Sequence, residues 1–572
     1  MNFKVWLLTG LLVAQFDADA QLQDAITHFL RNGRTREWSD FPAIVKDSQL
    51  VVHFDMKNDR GAGTLSLIQF DVNQTWKVML NDMHLGNLTL DEKKMTTYFD
   101  FPAGLLRAKR NTLKIVPEPV KTNRTDDISV GNLSVIPSPS ATLLSGVPVN
   151  IRVVDKKNEF LPSRLTIVDK NGALQPVTAK SGDTMTIRTG VIYSSSGVFT
   201  FSLPAGSYKV YASRGFEYGV DSMSLDALAG DMIFRKLTVE HEIILPKWKS
   251  MDTHIHTLEF SGHGDASMND RILTIAGEGL DYAVITEHNK AIDIAGTVKN
   301  KGLDKWFTPI TGDEMTTPVG HFNVFPSDPG HVPDHEVKSW KEVKQNIEKL
   351  PGKKVVILNH ARDVHTGIRP SDSLLTRTAS ALPVNAMEVM NSGSQQADPR
   401  QLYMDWLGLM KKGIFLAPAG ASDSHDVSRF IVGQSRTYVP SDGDIADNFL
   451  KGRVGVSFGL FTGLQVDTVV SDGKLNVLIK VYAPSWITPA NVALYANGQK
   501  IFSDSLSNKD KQAGHYFLKE LSLATPPQGT RLVAVAEGPD PKVPWWPVAR
   551  PYSWTSPDVT PIVLGISSCI TP

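Results

Sequence analysis

His254 and His256 in the stretch "DTHIHT" stand two residues apart at the end of an apolar run. In an extended segment such residues point to the same side, so both imidazoles can face one ion. Ten of the fifteen histidines fall between residues 251 and 430. They recur, together with carboxylates, at the ends of successive apolar runs. His288 ends "DYAVITEH", Glu314 ends "WFTPITGDE", His321 opens "GHFNVF" and His360 ends "KVVILNH". Asp423 and His425 follow "GIFLAPAGASDSH". Imidazole and carboxylate are ligands for Zn²⁺, Mn²⁺ or Fe²⁺. A lone strand histidine is ordinarily a core or surface residue, but eight or nine such groups in this arrangement point to a metal centre. Cys569 is the only cysteine, which excludes thiolate-rich zinc sites and internal disulfides.

Strands alternating with helices must carry these residues. Between 251 and 439 short apolar runs alternate with amphipathic stretches, the pattern of a parallel sheet or barrel. In a (β/α) barrel all strand C-termini open on one face, so residues about 170 positions apart become neighbours. Ser267 with Asp270 predicts a capped helix that shows Met268, Ile272, Ile275, Ala276 and Leu280 on one face. "SWKEVKQNIEKLPG" and "DPRQLYMDWLGLMKKG" predict two more helices.

The rest of the chain reads differently. Residues 21–137 and 138–246 alternate apolar and polar positions in short runs, which predicts two β-sandwiches. "WKVMLNDMHLGNL" resembles strands of galactose-binding-like sandwiches, and "GVFTFSLPAGSYKVYASRG" is similar to carboxypeptidase-regulatory-like or prealbumin-like ones. Residues 247–440 form the strand–helix unit, and 441–572 contain a further sandwich. Residues 1–20 have a Lys, a short apolar run and Ala18-Asp19-Ala20, which reads as a cleaved secretory signal. The expected location is therefore periplasmic or extracellular, with no membrane span after cleavage. A net charge of −1 offers no general attraction for nucleic acid, and none is expected as a partner.

The ordered set "DTHIHT", "VITEHN", "GDE", "GHFNVF", "ILNHAR" and "ASDSH" resembles the polymerase-and-histidinol-phosphatase (PHP) family. The multi-domain build resembles its CehA/McbA-like metallohydrolase branch. The motifs cover residues 251–439, about a third of the chain. The resemblance implies a distorted (β/α)₇ barrel, flanked by the sandwiches, that holds two or three divalent ions. It places one ion on His254, His256, Glu314 and Asp423. Glu314 then bridges to a second ion on His321 and His360. A third ion takes His288, His425 and one ligand from "LEFSGHGDAS", with His263 chosen and Asp265 the alternative. Three departures stand out: Glu287 in "TEH" where the family has Asp, Ala361 where it has Pro, and the loop before Ser267.

The implied reaction is hydrolysis by a metal-bound water, with a small-molecule phosphoester as substrate. Arg362 is the expected catalytic cation for charge on the non-bridging oxygens, ahead of Arg429 and Arg436. His365 is assigned to the substrate wall or an exposed loop. Glu388 is assigned to support of a ligand or to a buried structural role, and Asp252 to orienting one. Two other readings stand beside this one. The same ligands serve hydrolysis of carboxylic esters, carbamates or amides. A barrel that no longer catalyses would leave a carbohydrate-binding or adhesion protein, with carbohydrate contact through the sandwiches. The aromatic stretch "KVPWWPVARPYSW" reads as a packed corner or a sugar surface.

Overall fold

A computed structural model describes residues 23–38, 41–56, 61–119, 125–330, 333–352, 354–362, 383–393, 399–467, 474–547 and 559–572. The signal segment 1–20 and His365 lie outside the described residues. Among the described residues, no helix is long and apolar enough to cross a membrane.

Two antiparallel four-stranded sheets open the chain. One orders Gln23–Asn32, Asp126–Ile136, Gly63–Phe70 and Met95–Phe101; the other orders Leu50–Phe54, Asn111–Pro117, Trp76–Leu80 and Met83–Asn87. Alternating residues such as Trp76, Val78 and Leu80 fill the core between them. Next come a five-stranded and a three-stranded sheet around Val149, Ile151, Leu165, Phe199 and Val210.

The central unit departs from a closed barrel. Its described strands form two open sheets. The first places Thr308–Thr311, Tyr282–Ile285 and Trp248–Ile255 in parallel order, then Arg436–Pro440 antiparallel. It continues through Gly455–Phe458 and Ile562–Ile566 into the C-terminal sandwich, nine strands in all. The second orders Asp313–Thr317, Gly320–Phe325, Val355–Leu358, Ala386–Asn391 and Ala417–Ala421. The physical reason is local. Asp313–Phe325 folds as a hairpin, and Arg436–Pro440 runs against its neighbour, so strict strand–helix alternation is broken. The run "GIFLAP" also does not mark its strand, which starts four residues later, at Ala417.

Short bridges join the two sheets at two seams. At one, Asp423 N–H donates to the His254 carbonyl at 3.0 Å and His256 N–H to the Ser424 carbonyl at 3.2 Å. At the other, Glu314 N–H donates to the Glu287 carbonyl at 3.1 Å and Asn289 N–H to the Glu314 carbonyl at 2.9 Å. The candidate ligands therefore sit at the seams themselves.

The helix Met268–Gly277 carries the capping box: Ser267 Oγ accepts from Asp270 N–H, and the Asp270 carboxylate accepts from Ser267 N–H. Its face of Ile272, Ile275 and Ala276, with Leu280, packs on Ile255, Ala283 and Ile285. This holds the first two parallel strands in place. The aromatic stretch is a packed corner where described: Trp546 is buried against Phe458 and Trp486, and Trp545 lies on Tyr211.

Candidate metal centre

Glu314 is the hub of the site. It leaves the first residues of the hairpin fully buried. Its Oε1 lies 3.4 Å from His254 Nε2, 3.2 Å from His321 Nδ1 and 3.4 Å from His360 Nε2. Its Oε2 lies 2.6 Å from His288 Nδ1 and 3.5 Å from His256 Nε2, in neither case with hydrogen-bond geometry. Asp423 Oδ1 stands 3.3 Å from the Nε2 atoms of both His254 and His256. His425 stacks on His256, ring centres 4.1 Å apart.

Among the described residues, three groups have candidate ligand atoms within 4.8 Å of one another: His254, His256, Asp423; His254, Glu314, His360; and His256, His288, His425. The hairpin reverses the chain, so His321, at the start of its strand, reaches the same point as residues at strand ends. The backbone bends to serve the cluster. His360 and Asp423 have φ of +24° and +51°, a sparsely populated region that costs on the order of 1 kcal/mol or more per residue. Strand register also shifts beside His254 and beside Glu388.

Supporting residues fix the rings. Glu388 Oε1 sits 2.7 Å from His254 Nδ1, which turns His254 Nε2 toward Glu314 and Asp423. Glu388 Oε2 accepts from His360 N–H at 2.5 Å and Asn391 Nδ2 at 2.9 Å. Asn359 donates to Glu314 Oε1 at 3.0 Å and to Asn323 Oδ1 at 2.8 Å. Arg271, fully buried, donates to the carbonyls of His256 and Ser424 and so fastens the first seam. Asp252 organises backbone rather than a ring: it accepts from the N–H groups of His254, Ser422 and Gly433. Glu287 accepts from Thr257 Oγ1 at 2.7 Å and from Thr257 N–H at 3.2 Å. Thr257, Asn323 and Asn359 lie inside the quoted motifs, but nothing in sequence set them apart from their neighbours; Arg271 lies outside every motif. Its charge beside the largely apolar run Ile272–Ala276 is the one signal it offered in sequence.

The three candidate arginines all have partners within the protein. Arg362 forms a two-pronged pair with Asp405, Nε at 2.6 Å and Nη2 at 2.9 Å, and so clamps the helix Pro399–Lys411. Arg429 is held the same way by Glu92. Arg436 is buried and donates to the Gly433 and Glu278 carbonyls. Asp265 engages both its oxygens, with Arg188 and with Val427 N–H. His263 instead lies over the cluster, its ring 4.2 Å from His425 and 5.4 Å from His288. Gly264 allows this approach: its φ is +83°, and a Cβ there would meet the His425 carbonyl at 2.4 Å.

The electrostatics are those of a site short of positive charge. Against burial, His254 and the other imidazoles hold the carboxyls of Glu314 and Asp423 well below their usual range. The histidines are driven apart. Burial opposes charge on His254, but Asp423, Glu314 and Glu388 raise it well above an ordinary histidine; His360 is raised to about 9. Burial and His425 push His256 well down, and burial lowers His425 to about 4. His254 Nε2, both His256 nitrogens, Glu314 Oε2, His321 Nδ1 and His425 Nε2 are buried without hydrogen-bond partners. Buried polar atoms are rarely left so. Ligand atoms from these residues gather in groups within 4.8 Å, one atom per residue, and a divalent cation satisfies such a group where a proton would satisfy only some of its atoms; the residues fit the group. The floor, His254, His256 and Glu388, is fully buried. His288, His321 and His425 keep 24%, 16% and 15% of their side chains exposed, which sets the open side.

No family model and no curated protein matches the chain. Among solved structures, a two-domain protein containing a predicted PHP-like metal-dependent phosphoesterase from Bacteroides vulgatus ATCC 8482 aligns at 15% identity and a TM-score of 0.32. It covers 57% of this chain and 98% of its own. A Bacteroides uniformis β-glucuronidase aligns at 9% identity and a TM-score of 0.19, over 91% of this chain and 78% of its own. At such scores the functional reading rests on the side chains of this chain alone.

Proposed function

We propose that the chain is an exported metal-dependent hydrolase of the PHP type, acting on small-molecule phosphoesters. The observation that carries this is the convergence of unpartnered buried nitrogens and carboxylate oxygens on Glu314. His254, His256, Glu314 and Asp423 would hold one ion. Glu314, His321 and His360 would hold a second, and His288, His425 and His263 a third. The backbone bridges that join the two open sheets at their seams bring these residues together and support this assignment.

Divalent cations, when bound, supply Lewis acidity and make water a competent nucleophile near neutral pH. The chain's own residues do the rest. Glu388 fixes the tautomer of His254, and Asn359 restrains one oxygen of Glu314. The buried floor strengthens the charge interactions above it. The exposed edges of His288, His321 and His425 orient the substrate's approach.

A second reading has one observation in its favour. Arg362, Arg429 and Arg436 are all committed to protein oxygens, so none is an open clamp for a phosphoryl group. That favours an uncharged carboxylic ester, carbamate or amide on the same site. The test pairs metal analysis with phosphoester and carboxylic-ester panels on wild type and His254→Ala. The expected result is joint loss of metal and phosphoesterase activity in the variant. Activity that survives the substitution would sink the assignment; turnover of carboxylic esters alone would select the second reading.

A further inference from the structure

The loops that carry His263 and His425 are held from outside the central unit. Asp265 lies between two anchors: Oδ2 accepts from Arg188 Nε at 2.7 Å, and Oδ1 accepts from Val427 N–H at 2.8 Å. One carboxylate thus ties both loops to Arg188, the last residue of the strand Met185–Arg188 in the second sandwich. The same guanidinium donates to the Asp265 carbonyl and, at 3.5 Å, to Asp270 at the start of the capped helix. A second clamp acts further along the His425 loop. Arg429 binds Glu92 through Nε at 3.0 Å and Nη2 at 2.5 Å, and Lys93 Nζ donates to the Ser428 carbonyl at 2.6 Å. Glu92 and Lys93 belong to the first sandwich. The buried floor needs no such help, because strands and Arg271 fix it. The rim is the part of the centre built on loops, and both sandwiches grip it.

We infer that the two N-terminal sandwiches hold the rim of the centre in register, with Arg188–Asp265 and Glu92–Arg429 as positioning pairs. The consequence for metal affinity rests on the proposed metal centre; the clamp itself does not. Arg188 is 24% and Asp265 44% exposed, so solvent screens the pair and its loss loosens the loops rather than unfolding the chain.

Hydrogen–deuterium exchange of the full chain, with and without Zn²⁺, tests this on Arg188→Met, Asp265→Asn, Glu92→Arg, Arg429→Glu and the Glu92→Arg/Arg429→Glu swap. The single variants are expected to raise exchange in 258–266 and 424–430 by about threefold or more, while 250–255 stays protected. Zn²⁺ affinity of the metal-free protein should fall by a similar factor, and the swap should restore both. Unchanged exchange in Arg188→Met and Asp265→Asn overturns the inference, as does a rise spread evenly over the second sandwich, or a swap no better than its singles. Should Arg188→Met fail to fold, Asp265→Asn decides, since its Oδ1 still accepts from Val427. Loops that loosen in a protein that takes up no Zn²⁺ uphold the clamp and refute the metal reading.

Discussion

Two of the buried polar clusters among the described residues are completed in opposite ways. Where the second sandwich meets the central unit, Arg164 Nη1 stands 3.0 Å from Glu278 Oε1 and 3.2 Å from Tyr193 Oη, and Tyr193 donates to Glu278 at 2.7 Å. Arg164 reaches further to Ser213 Oγ and the Trp545 carbonyl. One cation, one anion and one hydroxyl close on each other. The cluster around Glu314 has an equally buried floor but does not close on itself: His254 Nε2, both His256 nitrogens, Glu314 Oε2, His321 Nδ1 and His425 Nε2 have no hydrogen-bond partner, and imidazoles crowd one another. Burial alone does not mark function, then. A buried charge cluster that balances itself is structural, whereas one left with unpartnered polar atoms is a candidate site.

The largest expected effect breaks the second cluster at its hub. Glu314→Gln removes the one carboxylate that faces five histidines. Hydrolytic turnover should fall by about a thousandfold, with loss of bound metal, measured by initial rates and metal analysis. Retained metal and turnover would erase the contrast between the clusters. Glu278→Gln makes the complementary break. It strands the Arg164 charge in a site where both partners are 4% exposed or less, and should lower unfolding stability by about 3 kcal/mol with metal content unchanged. Denaturant unfolding beside metal analysis separates the two; loss of metal in this variant would mean that the clusters are one system.

The clustering of the candidate ligands was legible in sequence because His, Asp and Glu recurring beside successive apolar runs are rare together. The fold around it was harder to read. The hairpin at Asp313–Phe325 hides in a string of apolar runs, because alternation is the same whether the next strand runs parallel or back. The sheet's extension into the C-terminal sandwich depends on Gly455–Phe458 pairing with Ile562–Ile566, a contact between distant segments with no local mark. Arg362 looked available because sequence shows charge but not partners; Asp405, on a later helix, claims it. The tasks of Glu388 and Asp265 turned on geometry alone: the same carboxylate steadies a ring at one position and ties loops at the other.

A third buried acid sharpens the rule with a milder effect. Asp126 accepts from Asn73 N–H, Gln74 N–H and Trp76 Nε1–H, so donors rather than metal ligands surround it. Burial still pushes its carboxyl up to about 6, from 3.8. The folded state therefore holds this proton more tightly than the unfolded chain. Its contribution is full below pH 3.8 and is lost as pH rises through about 6, by at most about 3 kcal/mol. Unfolding free energies from pH 4 to 7 should show this decline in wild type and a flatter profile in Asp126→Asn. Equal slopes would mean that the three donors already offset the burial.

Glu388→Gln probes the finest distinction, between a ligand and the residue that orients it. The carboxylate has a different partner on each side: His254 Nδ1 on Oε1, and the donors His360 N–H and Asn391 Nδ2 on Oε2. A glutamine can keep an oxygen toward only one side. If the amide group turns toward His360, donor meets donor and that backbone, already at positive φ, must shift. If it turns toward His254, the ring loses its acceptor and its tautomer is no longer fixed. Either way both ligands remain present and only their aim changes. Metal affinity should therefore weaken by about ten- to a hundredfold, and saturating metal should restore turnover, which it cannot do for Glu314→Gln. Metal titrations of the two variants, followed by rates at saturation, tell them apart. Equal and unrecoverable losses would make Glu388 part of the ligand set, and the fully buried floor would then hold a ligand rather than a support.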